Sequence, residues 1–231
     1  MNKKTVAIIV AGGTGNRMGE DIPKQFIKLY DKEIILYTLE TFDKCDFVNE
    51  IVVVCHKDYI DICKNISLSI KKDVLIVEGG NSRQQSVVNG LNAIKDCEYV
   101  LVHDAVRCLV RISDIKNLYN ELLASGSCTL AVKSKDTVMI SDDNNMVVST
   151  PSRNYIWQIQ TPQAFRFDEL FSAHVYAHDT SFEATDDCSV IEHYGKTVKL
   201  VEGSYTNIKI TTPSDLEIAK VFMKGSELKS E

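Results

Sequence analysis

The run Ala7-Ile8-Ile9-Val10-Ala11-Gly12-Gly13-Thr14-Gly15-Asn16-Arg17-Met18, followed by Pro23-Lys24-Gln25, joins an apolar segment to three glycines and then to two cations. Glycines let backbone N–H groups close on a ligand without Cβ obstruction. Arg17 and Lys24 add fixed positive charge. Together these residue types make a receptor for a polyphosphate. A glycine-rich turn with no ligand would leave both cations without a purpose.

Two phosphate loops are excluded by spacing. A P-loop needs Gly, four residues, then Gly-Lys-Ser/Thr. From Gly12, Gly13 or Gly15 the second glycine's place holds Arg17, Met18 or Glu20. The dinucleotide fingerprint Gly-x-Gly-x-x-Gly begins at Gly13-Thr14-Gly15 but meets Met18 where its third glycine belongs.

Other groups of chemical interest follow apolar runs. Gly79-Gly80-Asn81-Ser82-Arg83-Gln84-Gln85-Ser86 follows one, His103-Asp104-Ala105-Val106-Arg107 another, and Asn207-Ile208-Lys209-Ile210-Thr211 lies near the C-terminus. In open α/β sheets ligands bind beyond the carboxyl ends of the strands. These segments therefore meet at one edge if the runs are parallel strands. Asp104, in the company of Arg17, Lys24 and Lys209, reads as a ligand for Mg²⁺, which takes few protein oxygens and completes its shell with phosphate. A lone Asp would otherwise be a cap or turn residue. His103 reads as a packed, hydrogen-bonded spacer. Ser86 could receive a base or ribose, or serve as a structural hydroxyl. Thr185-Asp186-Asp187 has the pattern of a helix start, with Thr185 as cap, and is open equally to a ligand role.

The elements that must position these groups alternate. Strands are expected at Thr5–Val10, Ile51–Cys55, Val74–Val77, Tyr99–Val102 and Thr129–Val132. Helices are expected at Ile34–Phe42, Tyr59–Ile66, Ser82–Ile94 and from a Ser113 cap to about Ala124, with Gly126 beyond its end. This rhythm implies an α/β fold: a Rossmann-like, mostly parallel sheet with helices on both faces. The rhythm breaks at about 136–153. There Val138-Met139-Ile140 and Met146-Val147-Val148 flank a polar turn, as in a β-hairpin arm. A two-stranded ribbon is marginal alone, so a second subunit is a natural cover, and Arg153 could reach a neighbouring site. Helices near Phe167–His178 and Thr185–Tyr194, strands at Val198–Val201 and Ile208–Ile210, and a helix from Pro213 to about Met223 complete the chain.

A length of 231 residues, 44% apolar and 25% charged, suits a single domain over 1–231. The net charge of −6 argues against nucleic-acid binding. The seven cysteines show no Cys-x-x-Cys pair and no framework, as expected of a reducing cytoplasm. The N-terminal apolar run is too short for a signal peptide, and no run approaches the ~18 residues of a membrane span.

Taken in order, the glycine segment, Pro23-Lys24-Gln25, Gly79-Gly80 with Arg83-Gln84-Gln85-Ser86-Val87, His103-Asp104-Ala105-Val106-Arg107, Asp136-Thr137, Gln160-Thr161-Pro162-Gln163, Thr185-Asp186-Asp187 and Asn207 to Leu216 are similar to the 2-C-methyl-D-erythritol 4-phosphate cytidylyltransferase family. The resemblance covers about residues 5–222. It implies a nucleotidyltransferase that joins CTP to a polyol phosphate with Mg²⁺, releasing pyrophosphate. It implies that Arg17 and Lys24 hold the triphosphate, that Lys209 assists at the α-phosphate, and that Asp104 carries the metal. Ala11, Gly12, Gly13, Gly15, Gly80, Asn81, Ser86 and Ala105 would receive the nucleotide. Arg107, Thr161 and Thr185 would line the acceptor site, with Thr137 and the catalytic Arg153 supplied by the arm of a partner in a homodimer.

Four positions depart from the family's usual pattern: Cys108, the Val132-Lys133-Ser134-Lys135 run, Met139 and Ser152. All are expected around the acceptor pocket, so nucleotide chemistry is more firmly implied than acceptor identity. A ribitol 5-phosphate cytidylyltransferase is the nearest rival, and it shares features of the first loop. Arg83-Gln84-Gln85-Ser86-Val87 and Trp157 before Gln160-Thr161 look more like the erythritol enzymes. A nucleotide-binding regulator without catalysis would bind CTP and not turn it over. An NAD(P)-dependent oxidoreductase needs an acidic residue after strand two, where Cys55-His56-Lys57 stands.

Overall fold

The computed structural model describes residues 4–13 and 22–227. Gly15 and Arg17 lie outside them. Seven strands make the main sheet: β1 (Thr5–Ala11), β2 (Glu50–Cys55), β3 (Asp73–Glu78), β4 (Tyr99–Asp104), β5 (Ser127–Lys133), β6 (Trp157–Arg166) and β7 (Lys199–Glu202). Their spatial order is β7-β5-β6-β4-β1-β2-β3. All neighbours run parallel except β6, which is antiparallel to both β4 and β5.

The apolar runs form central strands because both of their faces are covered. Val6 and Ile8 pack on one side against Val87 and Leu91 of α3 (Arg83–Ala93), Leu170 and Ala173 of α5 (Phe167–Asp179) and Ile191 of α6 (Asp187–His193). Ala7 and Ile9 pack on the other side against Ile35 and Leu39 of α1 (Ile34–Asp43), Cys63 of α2 (Ile60–Ser67) and Ile115 and Leu118 of α4 (Ile112–Ser125). The expected α/β architecture, with helices on both faces, is the one found. A third cluster joins Leu29, Ile34, Val106, Cys108, Ile210 and Ala219, the last from α7 (Pro213–Glu227). Gly90 explains how closely α3 seats. A Cβ there would stand 3.0 Å from Val54 and 3.1 Å from Ile8. A mid-helix glycine costs about 1 kcal/mol relative to Ala, and here it lets α3 approach the sheet.

Four expectations require correction. Strand β6 was not anticipated. Its Gln158, Gln160 and Gln163 and its internal Pro162 read as a loop, since Pro removes a ladder donor. The register shifts between Ile159 and Gln163, so Pro162 falls at the irregularity. Residues 208–210 are not a strand: Ile210 is buried in the third cluster and Ile208 packs against it, so their alternation reflects packing there and not pairing in the sheet. The N-cap position of α4 is Arg111, two residues before Ser113, with no side-chain cap, while Gly126 closes the helix with φ 80° as its position suggested. The hairpin is shorter and shifted, Ile140–Ser141 against Val147–Ser149, and makes its own two-stranded sheet. Asp142 Oδ1 accepts from the N–H groups of Asn144 and Met146, both at 2.9 Å, which closes the turn.

Candidate active site

Chain order runs outward from β1 to β3 and then crosses to β4 on the other side of β1. The crevice at such a reversal is the natural ligand site of an open α/β sheet. It is a cavity of about 520 Å³, lined by Ala11, Gly12 and Gly13 after β1, by Gly80, Asn81 and Ser86 after β3, and by Lys24, Arg83, Asp104 and Lys209. A second cavity of about 350 Å³ adjoins it. Arg83, Asp104 and Lys209 line both, and Arg107, Thr161, Thr185 and Asp186 line the second alone.

The glycine turn is braced from inside. Gln25, buried in the short helical turn Lys24–Phe26, donates its Nε2 to the carbonyls of Ala11 at 2.6 Å and Gly13 at 3.0 Å. The Gly79-Gly80 turn is braced by Ser86, whose Oγ accepts the Gly80 N–H at 3.1 Å and donates to the Ser82 carbonyl at 2.8 Å. The Ser86 hydroxyl proton is thus committed to the turn. Ser86 lines the cavity as the support of the loop. Gly80 is sterically required, since a Cβ would fall 2.1 Å from Gln85 Cγ.

Asp104, the last residue of β4, is only 6% exposed and stands among three cations. Lys209 Nζ lies 2.8 Å from its Oδ2, Arg83 Nε 3.5 Å from Oδ1 and Arg107 Nε 3.7 Å from Oδ2. Burial pushes the Asp104 carboxyl up, but Arg83, Lys209 and Arg107 outweigh it and hold it well below the usual carboxylate range. Lys209 stands on a loop pinned at both ends. Asn207 Nδ2 donates to the Thr161 carbonyl at 2.9 Å, Arg107 Nη1 donates to the Asn207 carbonyl at 2.8 Å, and Ile210 N–H donates to the Val106 carbonyl at 3.0 Å. Beyond it, Asp215 Oδ2 accepts from the N–H groups of Thr211 and Thr212.

The sequence gives Arg83 no role beyond its motif, and the structure sets it between the carboxylates of Asp104 and Asp187. Its Nη1 lies 2.8 Å from Asp187 Oδ2, and Asp187 Oδ1 accepts from His174 Nε2 at 3.1 Å. Burial pushes Asp187 up, but Arg83 and His174 more than offset this and lower it. One signal could have revealed Arg83: it opens α3, where a cation opposes the helix dipole. Such a placement is explained by partners outside the helix.

His103 is fully buried and acts as a spacer, as expected. Its Nε2 faces the Arg107 carbonyl at 3.3 Å, an acceptor, so Nε2 carries the proton. Nδ1 then accepts from Thr161 Oγ1 at 2.9 Å, and Thr161 Oγ1 accepts the Asp104 N–H at 3.0 Å. Burial lowers the His103 pKa to about 3, so the ring stays neutral. Thr161 lines the second cavity, but its proton is directed to His103.

Other predicted residues fall elsewhere. Ala105 is buried in the core and does not line the cavity: its N–H goes to the Val10 carbonyl and its carbonyl accepts from Thr38 Oγ1. Thr185 is not the cap of α6; Asp186 is, accepting from Ser189 N–H at 3.0 Å, and this leaves Thr185 at the cavity wall. Thr137 and Arg153 line neither cavity of their own chain. Arg153 is exposed and donates to the Lys135 carbonyl at 3.1 Å. Cys108 lies in the third core cluster, and neither Met139 nor Ser152 lines the second cavity, because these departures sit in the core and on the arm. Gln163 was missed as a site residue. It is fully buried, donates to Asp186 Oδ2 at 2.8 Å and accepts from the Asp187 N–H at 3.0 Å. The sequence signals no strand over 157–166, so its inward direction was hidden.

The family profile for IspD, 2-C-methyl-D-erythritol 4-phosphate cytidylyltransferase, matches residues 5–225. A protein of that name from Alkaliphilus oremlandii is 42% identical over 225 residues, covering 96% of this chain and 95% of that one. Another from Clostridium botulinum (strain 657 / Type Ba4) is 42% identical over 227 residues, covering 97% and 99%. The crystal structure of 4-diphosphocytidyl-2C-methyl-D-erythritol synthase from Anaerococcus prevotii DSM 20548 is similar with a TM-score of 0.88 at 33% identity, covering 97% of this chain and 100% of that one. That of the Francisella tularensis enzyme is similar with a TM-score of 0.79 at 36% identity, covering 94% and 98%. Likeness of this depth runs from β1 into α7 and spans every wall of both cavities, so the chain belongs to the 2-C-methyl-D-erythritol 4-phosphate cytidylyltransferase family.

Proposed function

We infer that this chain is a cytidylyltransferase that joins CTP and 2-C-methyl-D-erythritol 4-phosphate to form CDP-methylerythritol and pyrophosphate. Family membership supports the reaction. The observation that carries the residue roles is the sharing of Arg83, Asp104 and Lys209 by two adjoining cavities. CTP occupies the glycine-lined cavity and the polyol phosphate the smaller one, so the α-phosphorus sits where they meet.

The chemistry is in-line displacement. A phosphate oxygen of the acceptor forms a bond to the α-phosphorus, the bond from that phosphorus to the bridging oxygen breaks, and pyrophosphate leaves with the electron pair. The nucleophile is already an anion, so no general base is required, and the neutral, fully engaged His103 is not asked to be one. The protein's task is to overcome anion repulsion and stabilise charge on phosphorus. Lys209, Arg83 and Arg107 do this at the junction, with Lys24 toward the β- and γ-phosphates. Arg83 Nη2 and Arg107 Nε are buried donors without hydrogen-bond partners, and buried unpaired donors favour an incoming phosphate oxygen. Arg17 belongs to this triphosphate shell by family resemblance.

Asp104 is the carboxylate suited to a metal. Asp186 accepts from Ser189 and Gln163, whereas Asp104 is ionised and faces both cavities. Among the described residues no cluster of three metal-ligating side chains occurs. One hard carboxylate fits Mg²⁺ that brings triphosphate oxygens for its remaining ligands. When bound it would neutralise phosphate charge and polarise the α-phosphate.

A second copy of this chain covers the arm. Met139, Ile140, Met146, Val147 and Val148 are exposed there, and such a patch is characteristic of an interface. Arg153 and Thr137 then serve the partner's acceptor cavity. Seven cysteines without a disulfide support a reducing cytoplasm, and no described helix is long and apolar enough to cross a membrane.

The reaction is tested by pyrophosphate release from CTP with methylerythritol phosphate, against ribitol 5-phosphate as control. No release with methylerythritol phosphate overturns the assignment. Sharing of sites is tested by mixing inactive Lys24→Ala and Arg153→Ala proteins. Exchanged dimers contain one intact site and regain activity; silence in the mixture overturns the shared-site reading.

A further inference from the structure

Strand β7 stops at Glu202, opposite Ala131 of β5, and the Gly203 N–H adds one further bond, to the Ala131 carbonyl at 2.8 Å. Strand β5 runs on to Lys133. Alternate carbonyls of a strand face the same neighbour, so the Lys133 carbonyl lies on the edge where β7 has already ended. Tyr205 takes that place: its Oη donates to the Lys133 carbonyl at 2.9 Å. Its ring also lies beneath Lys135 Nζ, 3.8 Å from the centroid, within the range of a cation–π contact.

Tyr205 projects from a fixed turn. The Ser204 carbonyl accepts from Gln160 Nε2 at 2.8 Å and from the Asn207 N–H at 3.0 Å, and Asn207 Nδ2 holds the Thr161 carbonyl. Gly203 crosses so close to β6 that a Cβ would fall 2.5 Å from Gln160 Oε1. On the other side of the ring, Lys133 and Lys135 stand where the chain leaves the sheet for the arm. There Arg153 Nη1 donates to the Lys135 carbonyl at 3.1 Å, and the Ser134 N–H donates to the Ile156 carbonyl at 2.9 Å. The residue whose ammonium rests on Tyr205 is therefore the one whose carbonyl holds Arg153. Tyr205 itself lines neither substrate cavity.

We propose that Tyr205 is a positioning residue, which clamps the root of the arm to the loop of Lys209 and so sets where the arm delivers Thr137 and Arg153. This rests on the reading that the arm serves the partner's acceptor cavity. Tyr205 then acts on the partner's site and not on the site of its own chain, although it stands four residues before its own Lys209.

The test places the substitution in one subunit at a time. When Lys24→Ala and Arg153→Ala proteins exchange, the intact site joins the body of the Arg153→Ala subunit to the arm of the Lys24→Ala subunit. Tyr205→Ala added to the Lys24→Ala subunit, which lends the arm, should raise the KM for methylerythritol phosphate by about tenfold. The KM for CTP and kcat should stay within about twofold. Added to the Arg153→Ala subunit, it should change none of them. Tyr205→Phe in the arm-lending subunit keeps the ring beneath Lys135 and loses only the hydrogen bond, so the rise should be smaller, about threefold. An effect that follows the Arg153→Ala subunit, an equal rise in both KM values, or no effect in either subunit overturns the proposal. Silence of the mixture without any Tyr205 substitution overturns the shared-site reading instead. Amide hydrogen exchange decides the clamp independently of turnover: in full-length Tyr205→Ala the Ser134 N–H should exchange about fivefold faster than in the parent. An unchanged rate there overturns the clamp, whatever the mixtures do.

Discussion

Replacing Lys209 by Ala separates chemistry from folding. Lys209 Nζ lies 2.8 Å from Asp104 Oδ2, yet its side chain is 41% exposed. A half-exposed ion pair contributes roughly 0–1 kcal/mol to stability. Asp104 would keep Arg83 at 3.5 Å and Arg107 at 3.7 Å, so its carboxylate stays compensated. The loop is held by Asn207 and Asp215, not by the ammonium. The melting temperature should therefore fall by no more than about 4 °C for a chain of this size. The reaction loses much more. A donor aimed at charge that develops on a transferring phosphoryl group is worth on the order of 10²–10³ in rate. We expect kcat, measured as pyrophosphate release with both substrates saturating, to fall by about 10²-fold or more in Lys209→Ala. Lys209→Arg should recover part of it, because the charge is kept but the compact ammonium geometry is lost. Lys199→Ala, on exposed β7, should match the parent in both measurements. A Lys209→Ala enzyme within about threefold of the parent kcat, a difference under 1 kcal/mol, would refute the role given to this lysine. A collapse in melting temperature alongside the lost activity would show that the loop, and not the charge, had been removed.

Gly80→Ala places a Cβ 2.1 Å from Gln85 Cγ. The turn must shift, and kcat/KM for CTP should fall by about 10²-fold; unchanged CTP kinetics would contradict the assigned cavity. Gln25→Glu should raise the KM for CTP more than Gln25→Ala, because a carboxylate cannot donate to the carbonyls of Ala11 and Gly13. Equal effects would mean that Gln25 merely fills space. His103 has its pKa lowered from 6.5 to about 3 by burial, so below pH 6.5 the unfolded chain binds a proton that the folded protein refuses. Stability is therefore lost as pH falls from about 6.5 toward 3, by about 2 kcal/mol between pH 7 and 5 from this group. Denaturant titrations of the parent and His103→Gln should show the slope flattened in the variant. Asp104 and Asp187, whose pKa values are depressed, withdraw their contributions only at lower pH, as it passes below the ordinary carboxylate value.

Local chemistry made much of this molecule legible before any coordinates. The apolar runs at 5–10, 51–55 and 99–102 read as strands buried on both faces, because they are short, rich in Val and Ile and bounded by turn residues, and the structure extends each by one or two residues. Once they were parallel, Gly12, Gly80 and Asp104 had to share an edge, since parallel strands deliver their carboxyl ends to one side. What stayed hidden depended on partners distant in the chain. Strand β6 carries Gln160 and Gln163 inward, which is tolerable only because Ser204, Asp186 and Asp187 meet them there. Without those partners in view, buried glutamines beside a proline read as a loop. Arg83 likewise gained its meaning from Asp187, 104 positions away.

Composition and local pattern by themselves determined the layered α/β class, the glycine turns and the residue types that follow the strand ends, because burial period and backbone freedom are properties of short segments. The tertiary structure alone decided which cations surround Asp104, which hydroxyls are already engaged by their own loops, and that Lys209 arrives on a pinned loop instead of a strand. The reason is physical: a charge or a hydroxyl acquires its chemistry from what stands within a few ångströms of it, and that neighbourhood is assembled from parts of the chain that no local window contains.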